Sequence, residues 1–263
     1  MNPKTIFFDI DGTLLGTRDG RKFQIPESTM TALRLLKQNG HRIAVCSGRQ
    51  QIFIERYFPG LFQSFIAMNG THIVFEGKTV FDRPFTLEEV YRYFHRFNFF
   101  GCRYVFVGKQ KGWAHNIREW GQEGIERMYG LSDFVVTEWK PEDVHANVMD
   151  FIFPTPEEFK RCSQAFSGGM RLNFHPGGQT ADLSLEDSDK AKGIARFLQY
   201  SGIRKEDTVA FGDGGNDVTM MGAVGVGVAM GNAVDEVKRA AGYVTADIFD
   251  DGIYKGLKHL GLI

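Results

Sequence analysis

The sequence predicts an α/β protein: a parallel-sheet core, discontinuous along the chain, that carries an inserted α+β domain. Three observations predict it. At both ends of the chain, short apolar segments of strand length alternate with amphipathic helical segments. Between them lies a stretch of different rhythm, rich in aromatics and mixing strands with helices. Finally, three of the flanking apolar segments end in polar or acidic residues, as expected where the carboxyl ends of parallel strands open onto a site.

The elements follow in order. Thr5 to Asp11 is an apolar run closed by Gly12-Thr13, a buried strand opening into a loop. Pro26 to Asn39 has apolar residues at Met30, Leu33, Leu35 and Leu36 with Gly40 behind it, a helix with a proline start and a glycine stop. Arg42 to Cys46 is the next strand, Ser47-Gly48 its exit, and Gln50 to Phe58 a second helix. This order calls for right-handed crossovers. Phe65 to Phe81 then reads as hairpin strands broken at Asn69-Gly70 and Glu76-Gly77. In the middle, Leu87 to Phe97 and Arg118 to Tyr129 are expected helices. Arg103 to Val107, Phe134 to Trp139, Asn147 to Phe153 and Ala181 to Leu185 are expected strands.

The first rhythm returns at Asp189 to Tyr200, a helix, and Thr208 to Phe211, a strand ending in Gly212-Asp213-Gly214. A short helix from Asn216 to Met221, a strand from Val224 to Ala229 and a helix from Val234 to Ala241 follow. A short strand at Tyr243 to Thr245 and a helix from Ile253 to Leu260 close the chain. The division expected is residues 1–83 with 186–263 as the core and 84–185 as the insert.

At 263 residues the chain suits one large domain or two modest ones. Hydrophobic residues make up 43%, enough for a core. Lys plus Arg is 31 against 32 for Asp plus Glu, so nothing suggests a surface built to coat nucleic acid. The opening segment is too short and too acidic for a signal peptide, and no run approaches the ~18 apolar residues of a membrane span. Cys46, Cys102 and Cys162 form no metal-ligand spacing and are expected as buried, reduced thiols. A cytoplasmic location is the expectation.

The chemistry concentrates at the strand ends. Asp9 and Asp11 stand two apart around Ile10, and on an extended backbone both would face the same side. Two carboxylates that close repel unless a cation sits between them. Asp213 offers a third oxygen donor, and such a set completed by water and phosphate oxygens suits magnesium better than calcium. The histidines, His72, His115, His145 and His175 among them, form no ligand-spaced pair.

Asp9-Ile10-Asp11-Gly12-Thr13-Leu14 resembles the first motif of the haloacid dehalogenase superfamily. Ser47-Gly48-Arg49 is similar to its second motif, and Gly212-Asp213-Gly214-Gly215-Asn216-Asp217 to its fourth. The position of the insert resembles the type-two cap of the Cof-like branch. For the third motif, a lysine near the start of the helix after the cap, Lys190 fits the pattern better than Lys192.

The resemblance implies a Rossmann-like catalytic core with a substrate-selecting cap. It also implies a magnesium-dependent phosphatase of small phosphorylated metabolites, sugar phosphates or similar esters. It assigns Asp9 as nucleophile and Asp11 as acid and base. Asp9, the Asp11 carbonyl and Asp213 would bind the metal. Ser47 and Lys190 would hold phosphate oxygens, Asn216 would orient that end of the site, and Asp217 would support the metal waters or Lys190. Backbone N–H groups near Gly12 and Gly48 could add to the cradle. Arg49 is either another phosphate donor or the partner of a carboxylate. Cap contacts to the leaving group are sought among His115, Asn147, Arg171 and His175. The cap phenylalanines (Phe94, Phe97, Phe99, Phe100, Phe106) are expected mostly in its core. Two other functions remain open on the motifs: transfer of phosphate to a hydroxyl, and binding of a phosphorylated ligand without turnover.

Overall fold

A computed structural model describes residues 2–117, 121–166, 170–174, 179–185 and 187–263. The chain divides into two compact units: residues 1–49, 58–81 and 189–263, and residues 50–57 with 82–188. The helix Gln51–Tyr57 belongs to the second unit. There the Ile52 N–H donates to the Lys109 carbonyl, Arg56 to the Ser132 carbonyl and the Tyr57 hydroxyl to the Gly130 carbonyl.

The first unit is built on an eight-stranded sheet. Its order is Tyr243–Val244, Val226–Ala229, Thr208–Gly212, Thr5–Phe8, Arg42–Cys46, Phe65–Ala67, His72–Phe75 and Lys78–Asp82. The first six run parallel and His72–Phe75 turns back antiparallel. Thr5–Phe8 sits at the centre, Thr5 level with Thr208 on one side and Arg42 on the other. All four of its residues are buried, which is why the segment is apolar throughout rather than alternating.

Helices Glu27–Gln38, Lys190–Ser201, Val218–Ala223, Asp235–Ala240 and Gly252–His259 accompany this sheet. Pro26 caps the first rather than opening it, and Gly40 follows its end with φ +79°. Asp189 caps the second by accepting from the Lys192 N–H, and Gly202 closes it with φ +70°. A hairpin of Gly16–Arg18 and Arg21–Gln24 was not anticipated. Its strands carry charge instead of alternating apolar residues, and only the Asp19-Gly20 turn announced it.

The second unit carries a six-stranded sheet ordered Val135–Val136, Gly112–His115, Arg103–Val107, Val148–Ile152, Thr180–Leu185 and Met170–Phe174. Only the first pair is parallel. Leu87–Phe99, capped by a reciprocal Thr86–Glu89 pair, packs Val90, Tyr93 and Phe97 into its core. Phe97 and Phe106 are fully buried, but Phe99 is 84% exposed at the helix end, against the expectation of a core position.

The expected strand 134–139 shrinks to two residues, and the helix expected from Arg118 is described from Gly121 onward. Strands Gly112–His115 and Met170–Phe174 and helix Pro156–Ser163 were missed. The helix had announced itself through Thr155, whose side chain accepts from the Glu158 N–H three residues on. Cys46, Cys102 and Cys162 are buried and unbridged. Among the described residues no helix is long and apolar enough to cross a membrane.

Candidate active site

Residues from four loops at the strand carboxyl ends of the first unit converge. Asp9 follows Thr5–Phe8 and is 5% exposed. Its N–H donates to the Phe211 carbonyl at 2.9 Å, which ties it to the neighbouring strand. Lys190, at the first position of its helix and 1% exposed, lies with its ammonium 2.7 Å from Asp9 Oδ1 and 2.6 Å from Asp217 Oδ1. Lys192, the alternative, is exposed. The other Asp217 oxygen accepts from the N–H groups of Asp213 and Gly214, both at 2.9 Å. Asp217 thus locks the Gly-rich loop and carries the lysine. Thr13 donates its hydroxyl to Asp213 Oδ1 at 2.8 Å and fixes that carboxylate across 200 residues of sequence.

Carboxylate oxygens of Asp9, Asp213 and Asp217 lie within 4.8 Å of one another. Three carboxylates against one ammonium leave the cluster negative. Burial, then the Asp217 charge, pushes the Asp9 carboxyl up to about 7 despite Lys190. Burial, then Asp9, pushes Asp213 up to about 8. Burial works to lower the Lys190 pKa, but Asp217 and Asp9 outweigh it and hold the ammonium well above its ordinary value. Both Asp217 oxygens are already engaged, so Asp9 and Asp213 are the carboxylates suited to a cation. The donors are hard oxygens, and a divalent ion would offset the repulsion, so the residues fit magnesium.

Asp11 stands apart. The chain does not stay extended through Ile10: the N–H groups of Thr13, Leu14 and Leu15 all return to the Ile10 carbonyl. Asp9 is buried, whereas the Asp11 side chain is 47% exposed and gripped by Arg49 in a two-point pair of 2.6 and 2.7 Å. The shared face was expected only for an extended backbone, which this turn does not keep, and the Asp11 charge still reaches Asp9 and raises its pKa. Of the two roles weighed for Arg49, the structure has the carboxylate partner.

Ser47 is buried at the end of Arg42–Cys46, its hydroxyl accepting from the Arg49 N–H at 3.3 Å. Asn216 is exposed on the turn 215–217. Sequence reasoning missed Asn232. Its amide donates to the Gly12 carbonyl at 2.8 Å and its oxygen accepts from the Ile248 N–H at 3.0 Å, so it holds the loop after Asp9 from a distant part of the chain. The Val234 N–H adds a bond to the Asp213 carbonyl at 3.0 Å.

Gly12 is where the packing is tightest. Its φ is +82°, and a β-carbon there would lie 2.0 Å from Asp213 Oδ2. Gly12→Ala is expected to destabilise the protein by about 1–3 kcal/mol and, by displacing Asp213, to lower turnover roughly 10²-fold. A thermal melt beside a rate assay checks both, and an active, fully stable variant would show that the loop relaxes freely.

In the second unit a cavity of about 590 Å³ is lined by His115, Asn116, Thr137 and Glu138 among others. Burial lowers the His115 pKa. Asn147 is buried and donates to Asp82 Oδ1 at 2.9 Å. The Arg171 side chain and His175 lie outside the described residues.

A family model described as haloacid dehalogenase-like hydrolase matches residues 6–257. YkrA of Bacillus subtilis is 31% identical over 268 residues, covering 100% of each chain. The 5-amino-6-(5-phospho-D-ribitylamino)uracil phosphatase YbjI of Escherichia coli is 27% identical over 271 residues, covering 98% of each. Among solved structures, the sugar phosphatase BT4131, of HAD subclass IIB, is 30% identical with a TM-score of 0.78. That match covers 99% of this chain and 100% of its own.

Proposed function

This chain belongs to the haloacid dehalogenase-like hydrolases, and from that premise we propose that it is a magnesium-dependent phosphatase of small phosphorylated metabolites that works through an aspartyl phosphate on Asp9. The observation that carries the reading is the buried Lys190 ammonium, held 2.7 Å from Asp9 and 2.6 Å from Asp217 beside Asp213. A lysine so placed neutralises part of a carboxylate cluster and leaves it fit for a cation and an anionic phosphoryl group together.

Asp9 attacks phosphorus; its Oδ–P bond forms as the ester P–O bond breaks, and the leaving oxygen takes a proton from Asp11. Asp11 then accepts a proton from water, which attacks the aspartyl phosphate and releases inorganic phosphate with Asp9 restored. Both Asp11 oxygens are engaged by Arg49, so that pair opens and Asp11 takes up a proton from solvent before it serves as the acid. Ser47 and Lys190 bind equatorial phosphate oxygens, with Asn216 a further candidate. Asp9 and Asp213, with the Asp11 carbonyl, would hold magnesium, which when bound draws Asp9 and the phosphoryl group together and offsets their repulsion.

YbjI and BT4131 carry names for different esters, a ribitylaminouracil phosphate and sugar phosphates, around a shared fold. Every residue given a chemical role here lies in the first unit. The inserted unit is accordingly proposed to choose the leaving group. A panel of phosphorylated metabolites, read by released phosphate, tests the class. No release from any monoester by folded protein with magnesium would sink it.

The metal is tested without turnover as well. Asp9 and Asp213 hold more protons folded than unfolded between their ordinary value of 3.8 and about 7 to 8. Their burial therefore costs stability increasingly as pH rises through that window, and the cost is absent below it. Magnesium requires the ionised forms. It is expected to raise the melting temperature more at pH 8 than at pH 6, and chelation to stop phosphate release. Equal shifts at both pH values, or full activity in excess chelator, would remove the metal from this cluster.

A further inference from the structure

Three successive residues after the strand Phe65–Ala67 have left-handed backbones: Met68 (φ +49°), Asn69 (φ +52°) and Gly70 (φ +89°). Only the last is a glycine. Such a backbone is uncommon in other residues, and a run that includes a buried methionine persists only where its surroundings over-determine it.

The surroundings are two parts of the site. On one side the Met68 N–H donates to the Arg49 carbonyl and the Asn69 N–H to the Ser47 carbonyl, each at 3.1 Å. The Asn69 side chain lies against Gly48, where a β-carbon would stand 3.3 Å from Asn69 Oδ1. On the other side a β-carbon on Gly70 would lie 2.5 Å from the Asp189 carbonyl oxygen and 3.1 Å from the Gly193 Cα. One on Gly193 would lie 2.9 Å from the Gly70 Cα and 2.6 Å from Ile66. Asp189 and Gly193 bracket Lys190 at the start of its helix. A turn that merely joined Phe65–Ala67 to His72–Phe75 would not need both N–H groups bonded to the loop of another strand. Here the turn is a spacer, with the Ser47 loop on one face and the Lys190 helix on the other.

We infer that Asn69 is a positioning residue: its left-handed backbone sets where Ser47 stands relative to Lys190, and so how the two hold the phosphoryl oxygens. The inference rests on the phosphatase reading of the site. Asparagine tolerates the left-handed region better than other side chains, and glycine better still, whereas alanine does not. The backbone requirement can therefore be separated from the amide chemistry.

The probe is p-nitrophenyl phosphate with the full chain and magnesium. Asn69→Ala is expected to lower kcat/KM by roughly 10- to 100-fold, mostly through KM, the scale of a small misplacement. Asn69→Gly is expected to recover most of that loss. In a Ser47→Ala background, Asn69→Ala should cost less than about twofold more, because residues acting through one another are not additive. A general weakening of the fold would instead give additive losses that follow the melting temperature. Additive losses, or a folded Asn69→Gly as impaired as Asn69→Ala, would overturn the inference. Should Asn69→Ala not fold, Asn69→Gly still decides: near wild-type kcat/KM supports the role, and a hundredfold loss ends it. Failure of the wild type on every monoester would strike the phosphatase reading instead. The same variants would then be compared for inorganic phosphate binding by calorimetry, where a loss independent of Ser47 overturns the inference.

Discussion

Asp9→Asn is expected to lower phosphate release by on the order of 10⁴–10⁶-fold, the scale on which removal of a nucleophile acts, while leaving the protein folded. The amide keeps the shape of the carboxylate and cannot form the aspartyl phosphate. The stability side of this result is specific to the geometry. Asp9 is one of three carboxylates within 4.8 Å, and burial with Asp217 already pushes its proton affinity up. A neutral side chain relieves that crowding, and Lys190 keeps Asp217 as partner. The variant should therefore melt no lower than the wild type in chelator. A rate assay and a circular dichroism melt on the same preparation check both halves. A folded Asp9→Asn with near wild-type turnover would take the nucleophile's role away from Asp9.

Lys190→Met is expected to be the most damaging change to stability. It leaves Asp9 and Asp217 buried without their ammonium, and breaking a buried ion pair from one side costs about 3–5 kcal/mol. The penalty should be larger at pH 8 than at pH 5, because protonation of the stranded Asp9, whose carboxyl is already pushed up, removes part of it. Turnover should fall at least ~10²-fold with the loss of a fixed cation at the phosphoryl group. Adding Asp217→Asn to Lys190→Met removes one stranded charge, so it should restore part of the stability and none of the activity. Recovery of activity in that double variant, measured by phosphate release, would mean that the lysine serves the fold alone.

The sequence made some parts of this plain and hid others, for physical reasons. Strands such as Thr5–Phe8, Arg42–Cys46 and Thr208–Gly212 are buried on both faces, so they stand out as unbroken apolar runs. Asp9 and Asp213 were visible as acids where such runs stop, whereas Lys190 was legible only through the resemblance of its surroundings to the family's third motif. The turn at Ile10, which ends the extended run between Asp9 and Asp11, is a backbone event that residue spacing does not encode. Its pairing with Arg49 joins two loops 38 residues apart. Asn232 works through contacts 220 and 16 residues away and belongs to no periodic pattern. Asn69-Gly70 was legible as a turn, but its bonds to Ser47 and its closeness to Asp189 and Gly193 exist only in three dimensions.

The central place of Thr5–Phe8 also bears on how the chain is made. One edge of this strand pairs with Arg42–Cys46, soon after it in sequence; the other waits for Thr208–Gly212, about 200 residues later. At ~5–20 residues per second, a ribosome takes roughly 10–40 s to supply that partner. Throughout that interval the nascent chain presents an unpaired edge of Thr5-Ile6-Phe7-Phe8, every residue of which is buried in the finished sheet. An open apolar edge is a template for pairing with other chains. Until Thr208 emerges this edge of the growing polypeptide therefore stands open to pairing with other chains, and it belongs to the strand that carries Asp9 at its end.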